Sequence, residues 1–187
     1  MNGHKIILLI RKINMNNDFP KYQSYSLLTL FLSNILSAMI YGLGFFILSK
    51  TNRILPIIYL FYIMFLEIRL IRNHCRDCFY WGKICGFGKG KISSWFFKKG
   101  NNSRFCNLQM TWKNMIPDIL IFIIPVIAGL VLLIIHFNVI ILFAILLLIL
   151  LITAGNGYIR GTLVCKFCRQ RDLGCPADRL FNKQLHK

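Results

Sequence analysis

The sequence predicts an all-α integral membrane protein: four transmembrane helices forming two related helical hairpins, with Cys-rich loops on the cytoplasmic side. Three observations carry that expectation. The 187 residues are 56% hydrophobic and only 16% charged, where soluble domains run at about 45–50% and about 25%. The apolar residues are gathered into four long segments almost free of charge. The pattern Cys-x2-Cys-x6-Cys then occurs twice, as Cys75, Cys78, Cys85 and as Cys165, Cys168, Cys175, offset by 90 residues and each time following a pair of apolar segments.

The apolar segments are Tyr25 to Ser49, Ile54 to Ile71, Pro117 to Ile135 and Val139 to Ala154. A helix needs about 20 residues to cross a hydrocarbon core of about 30 Å. The second and fourth segments are short, but Glu67 and Arg69 can snorkel at one end of the second, and the fourth can run on through Gly155 to Tyr158. Two long re-entrant hairpins are the competing arrangement. The chain divides accordingly into an N-terminal segment (1–24), a first hairpin (25–71), a Cys/Gly/Lys-rich loop (72–116), a second hairpin (117–158) and a Cys-containing tail (159–187). The five-residue apolar run Ile6 to Ile10 is too short for a signal-peptide core and is not followed by a small-residue cleavage site, so the first crossing reads as an uncleaved anchor. Lys5 to Ile13 alternatively reads as a surface helix at the membrane.

Charge sets the orientation. The segment before the first crossing carries four Lys and Arg, the middle loop nine and the tail seven. The opposite side carries Lys50 and Arg53 in one turn and the uncharged His136-Phe137-Asn138 in the other. By the positive-inside rule both termini and the middle loop are cytoplasmic in a cell membrane. The net charge of +17 thereby follows from topology and from an anionic leaflet beside it, without a nucleic-acid partner.

All seven cysteines fall on that side, where thiols stay reduced, so metal binding or redox chemistry is favoured over a disulfide framework. Two thiolates separated by two residues can grip one ion from a tight turn, and the third closes the bite from the returning chain. One triad cannot complete a tetrahedral site. Cys75, Cys78, Cys85, Cys165, Cys168 and Cys175 could share two ions; Cys75, Cys78, Cys165 and Cys168 could form one four-thiolate site; or His74 or Cys106 could complete the first triad. Symmetry favours a shared site. The expected cofactor is zinc, with an iron–sulfur cluster as the alternative, faintly echoed in Cys175-Pro176. Reduced, metal-free thiols are the plain alternative.

The triad spacing resembles the six-cysteine binuclear zinc cluster of one class of DNA-binding modules, and Arg169 and Arg171 after Cys168 repeat the basic residues common there. The resemblance covers about a dozen residues in each half. Here a loop and two crossings separate the triads, where that family has a short linker, so the resemblance implies thiolate ligation and neither the fold nor DNA binding.

Between the first triad and the third crossing, Gly86 to Lys91 does not fit the register of a nucleotide-binding loop. The aromatic triplet Trp95-Phe96-Phe97 beside Lys98 and Lys99 reads as an interfacial segment with rings at headgroup depth and amines on anionic lipid phosphates. Trp81, Trp112 and Tyr158 are expected at the same boundary. Glu67, the sole glutamate, is expected to pair with Arg69, Arg72 or Arg160, with a proton-coupled transport role as the rival. Ser33, Ser37, Gly42, Gly44, Pro125 and Gly129 read as packing features, with Asn34 seeking a partner on a neighbouring helix. Gly155 to Gly161 is expected to break the fourth helix before the second triad. No Ser-His-acid set, carboxylate pair or dinucleotide fingerprint emerges. The expected function is therefore a structural or interaction module at the membrane, its two hairpins joined by a thiolate metal site that stiffens a basic platform for a protein partner or acidic lipids. A membrane redox protein is the alternative.

Overall fold

The computed structural model describes residues 22–108 and 111–176, apart from the side chain of Trp112. The surface helix expected at Lys5 to Ile13 lies outside the described residues. Within them the chain is all helical, without a strand; the one extended pairing is an isolated bridge between Tyr22 and Cys168.

Helix α1 (Leu27–Thr51) starts where Ser26 accepts a hydrogen bond from the Thr29 amide, and it ends as Asn52 turns extended. Asn52 Oδ1 then accepts the Ile54 amide at 2.9 Å, and Pro56, which needs no amide partner in a first turn, opens α2 (Leu55–Leu70). A π-helical turn, Ile71–Cys75, carries α2 directly into the first triad. Two short helices, α3 (Lys89–Phe96) and α4 (Asn102–Cys106), occupy the middle loop. Helix α5 (Trp112–Ile135) begins five residues ahead of the apolar segment and runs through Pro117 and Pro125. Helix α6 (Val139–Leu150) is capped by Asn138, which accepts the Ile140 amide, and the single turn α7 (Arg169–Asp172) follows the second triad's Cys168.

Three of these helices, Leu27–Thr51, Lys113–Ile135 and Val139–Phe167, are long and apolar enough to cross a membrane, and they mark the chain as a membrane protein. Their outward faces agree: Phe31, Phe143 and Ile134 stand 62%, 71% and 85% exposed, which water would penalise and lipid would not.

Helix α6 departs from expectation. Gly155 to Gly161 does not break it; the helix continues through π-helical turns at Leu151–Gly155 and Ile159–Val164 to a 3-10 turn at Cys165–Phe167. The positive-φ glycines lie elsewhere, at Gly82, Gly88 and Gly174. Gly155 serves close packing instead, since a Cβ there would stand 2.9 Å from Leu36 Cδ1 of α1.

Helix α1 packs against α2, α5 and α6, and α5 against α2 and α6, so α1 and α5 form the central pair. Small residues bring them together: a Cβ on Gly44 would sit 3.1 Å from Pro125 Cγ, and one on Gly129 3.1 Å from Ile47 Cγ2. Pro125 has no amide to give the Ile121 carbonyl four residues back, and the buried Tyr59 hydroxyl of α2 donates to that carbonyl at 3.1 Å. The proline of one helix is thus answered by a tyrosine of another, as a low-dielectric interior requires. Ile47, Ile145 and Leu148 fill the α1–α6 seam, and Leu48, Ile63 and Leu66 the seam with α2. Asn34 does not reach a neighbouring helix. Its amide donates to Leu30 O one turn back, as Ser33 and Ser37 do to Thr29 O and Ser33 O, the cheapest way to satisfy a short polar side chain on a lipid-facing helix.

Candidate thiol-rich site

The start of α1, the end of α2 and the end of α6 meet at one end of the bundle, so both triads lie on the same face. Tyr25 ties the three together. Its amide donates to Ile84 O at 2.9 Å and its hydroxyl to Val164 O at 2.6 Å. Tyr25, Tyr80 and Val164 form a small buried cluster, against which Cys78, Cys85 and Cys168 pack. The two cysteine-bearing segments are therefore adjacent at this end of the bundle.

The segments also share a backbone pattern. Cys78 N bonds Cys75 O at 3.4 Å and Cys168 N bonds Cys165 O at 3.3 Å; Trp81 N bonds Cys78 O at 3.1 Å and Arg171 N bonds Cys168 O at 3.2 Å. They then lock onto each other. The Phe79 amide donates to Gln170 Oε1 at 2.7 Å, and the Arg169 amide donates to the Tyr80 hydroxyl at 3.0 Å. That hydroxyl passes its own proton to Tyr22 O at 2.7 Å. Tyr80 and Gln170 are each 2% exposed, so these bonds are made away from water, where leaving them unmade costs most.

Burial pushes the Cys75 and Cys78 thiols up to about 12 and Cys168 up to about 11. Backbone amides pull the other way, Tyr80 N–H on Cys78 and Gln170 and Arg171 N–H on Cys168, because such bonds favour the thiolate. The Gly90 amide likewise reaches Cys85 Sγ at 3.4 Å. Neighbouring sulfurs raise these values further: Cys85 acts on Cys75; Cys168, Cys75 and Cys85 act on Cys78; and Cys175 and Cys165 act on Cys168. Cys78 is thus influenced by Cys168 of the other triad as well as by its own. Even so, among the described residues no group of three or more His, Cys, Asp or Glu side chains is arranged to hold a metal ion. The donor set suits a thiophilic ion; the ligand sphere is not closed.

Cys106, weighed above as a fourth ligand for the first triad, lies against the second segment instead: its thiol donates to Leu173 O at 2.9 Å and faces Gln170 Nε2 at 3.6 Å. His74 sets its ring edgewise to Phe105.

No protein-family model, curated protein or solved structure matches this chain. Its chemistry has to be read from its own residues.

Glu67 pairs with neither Arg69, Arg72 nor Arg160. Lys89 of the glycine-rich loop reaches it at 2.6 Å, and the Tyr41 hydroxyl donates to its other oxygen at 2.9 Å. Gly88, at φ 73°, turns the loop so that Lys89 begins α3 over the bundle; the left-handed backbone there favours glycine. Arg69 extends to Asn114 O, and Arg160 lies over the Phe87 ring. Trp81 is not a boundary anchor either, since its indole donates to Phe97 O at 3.1 Å within the middle loop. Trp95 and Phe96 do stand out, 71% and 73% exposed.

Tyr25, Tyr80, Gln170 and Lys89 are the residues that sequence reading passed over. One signal was available for two of them: the 90-residue offset that aligns the triads also aligns Tyr80 with Gln170 and Phe79 with Arg169.

Proposed function

We propose that this chain is a four-crossing membrane protein built from two related hairpins, whose Cys-rich segments form a cytoplasmic cap that acts as a structural and interaction module at the membrane. The observation that carries it is the reciprocal bonding of Phe79–Tyr80 with Arg169–Gln170, two pairs separated by the triad offset. In support of the duplication, α1 and α5 are the central helices and α2 and α6 the outer ones, the arrangement that two hairpins related by a two-fold axis would adopt. Helix α2 serves as the fourth crossing: its apolar stretch starts at Leu55 and leads through the π-helical turn into the first triad, and its exposed Phe61, Met64 and Phe65 suit a lipid environment. The basic loop and tail face the cytoplasm by the positive-inside rule.

The six triad cysteines hold zinc, which clamps the hairpins and takes up thiolates that burial alone would keep protonated. Sulfurs gathered on one face, half-buried except for the exposed Cys165, with amides directed at Cys78, Cys85 and Cys168, support this reading. The exposed Trp95 and Phe96 and the neighbouring Lys98 and Lys99 favour anionic lipid as the partner of α3.

Elemental analysis and visible absorption of protein purified anaerobically test the metal. Zinc in a colourless protein is the expected result. Iron with sulfide and a brown colour would replace this reading with electron transfer through an iron–sulfur cluster. Protein without metal, in which six Cys→Ser changes leave the cap intact, would remove the metal altogether.

A further inference from the structure

A cavity of about 390 Å³ lies between α1, α2, α5 and α6 at the capped end of the bundle, with Lys89 of α3 over it. Its polar lining includes Tyr41, Glu67, His74, Lys89, Asp118 and Arg160. Within that set the charges are unequally committed. Glu67 and Lys89 neutralise each other, with Tyr41 on the second carboxylate oxygen. Asp118 has no ion-pair partner within 4 Å among the described residues, its field reaching His74, and Arg160 lies over the Phe87 ring with its charge felt by Tyr41. Both line the cavity and both are exposed. Leu66, Ile121 and Phe122 supply an apolar wall.

We infer that this cavity binds a zwitterion, a molecule with an ammonium group for Asp118 and a phosphate or carboxylate for Arg160, joined by a short spacer against the apolar wall. A ligand of one sign would meet one of these two side chains as a like charge, while a ligand with both signs satisfies both and leaves the Glu67–Lys89 pair intact. The size falls within the range of small-molecule sites, about 300–1,000 Å³. The depth fits as well. Glu67 is eight residues before Cys75, about 12 Å along a helix, so the cavity lies where the headgroup of a zwitterionic phospholipid or a small zwitterion from the water phase could enter. Cys175, one of the proposed zinc ligands, also lines the cavity, but zwitterion binding is carried by Asp118 and Arg160 and does not need the metal.

The test is binding to the purified full-length chain, read by native mass spectrometry and by thermal shift. The probes are phosphatidylethanolamine, phosphatidylglycerol, a cationic diacyl trimethylammonium lipid, and free phosphoethanolamine. The expected result is preferential binding of phosphatidylethanolamine over both single-sign lipids. Competition by free phosphoethanolamine assigns the site to a water-borne zwitterion, and its absence assigns it to the lipid headgroup. Asp118→Asn and Arg160→Gln each weaken that binding about tenfold, the size of one lost charge-assisted contact, and Asp118→Glu retains it. Metal content and unfolding temperature without ligand stay unchanged in the Asp118 variants, separating this site from the thiol cap. Equal binding of single-sign lipids, or full binding by both Asp118→Asn and Arg160→Gln, would overturn the inference.

Discussion

Tyr80 and Gln170 are counterparts 90 residues apart, and each accepts the backbone amide that precedes the other: Arg169 N to the Tyr80 hydroxyl at 3.0 Å, Phe79 N to Gln170 Oε1 at 2.7 Å. An exchange of this kind fixes register as well as distance. Sliding one segment by a residue breaks both bonds at once.

Gln170→Ala leaves the Phe79 amide unmatched in a buried setting, which costs about 1–3 kcal/mol. Tyr80→Phe strips the acceptor from Arg169 and the donor from Tyr22 O, at a similar cost. Because the bonds share one interface, the double variant loses less than the sum of the singles. Reversible unfolding in mild detergent, followed by near-UV circular dichroism, measures all three. Strict additivity would mean that the two bonds act independently and that the segments are not one unit.

The Glu67–Lys89 pair joins the loop to the bundle, with side chains 28% and 21% exposed. Lys89→Met removes the cation and leaves Glu67 with Tyr41 alone, a loss of about 1.5–3 kcal/mol if a charged hydrogen bond of ordinary strength is broken. Glu67→Gln with Lys89→Met recovers much of that loss, because no charge then remains unpaired. Hydrogen exchange in residues 86–91 reads out the loop directly. Unchanged protection in Lys89→Met would show that the contact does not hold the loop down.

Much of this architecture was legible in the sequence, and the reasons differ by element. The apolar runs located α1, α5 and α6 because lipid demands continuous hydrophobicity whatever the packing. The cysteine spacing located the cap because ligand-like spacings are set by local geometry. Glu67's partner was not legible: three arginines were nearer in sequence or topology, and only the left-handed turn at Gly88 brings Lys89 over the bundle. The run of glycines at 155–161 misled because glycine serves close approach as well as turning. Leu36 against Gly155 decides the matter in space, and nothing in the local sequence names Leu36.

Trp95 offers a reporter for the lipid-facing edge of α3. Ile92 is 37% exposed, Trp95 71% and Phe96 73%, while Gly90 and Ser93 face inward. In a variant retaining only Trp95, brominated anionic lipids in proteoliposomes should quench its fluorescence more than brominated zwitterionic lipids do. Lys98→Gln with Lys99→Gln should erase that preference, each lysine contributing about 1 kcal/mol near an anionic surface. Quenching by aqueous iodide with none from lipid would place α3 in the water, away from the bilayer.

The thiols give a pH test whose sign depends on metal. Without metal, burial lifts Cys75 and Cys78 to about 12 and Cys168 to about 11 from an ordinary 9.0. The folded cap then binds more protons than the unfolded chain between those values, so stability is intact below about pH 9 and falls as pH rises towards 12. With zinc bound the thiols are already deprotonated, protons compete with the ion, and the cap is lost on acidification instead. Thermal unfolding of the cap from pH 5 to 11, with and without a strong chelator, separates the cases. As purified protein should weaken towards pH 5 and hold at pH 10; after chelation the order should reverse. A single alkaline-labile profile in both preparations would mean that the sulfurs carry protons rather than metal.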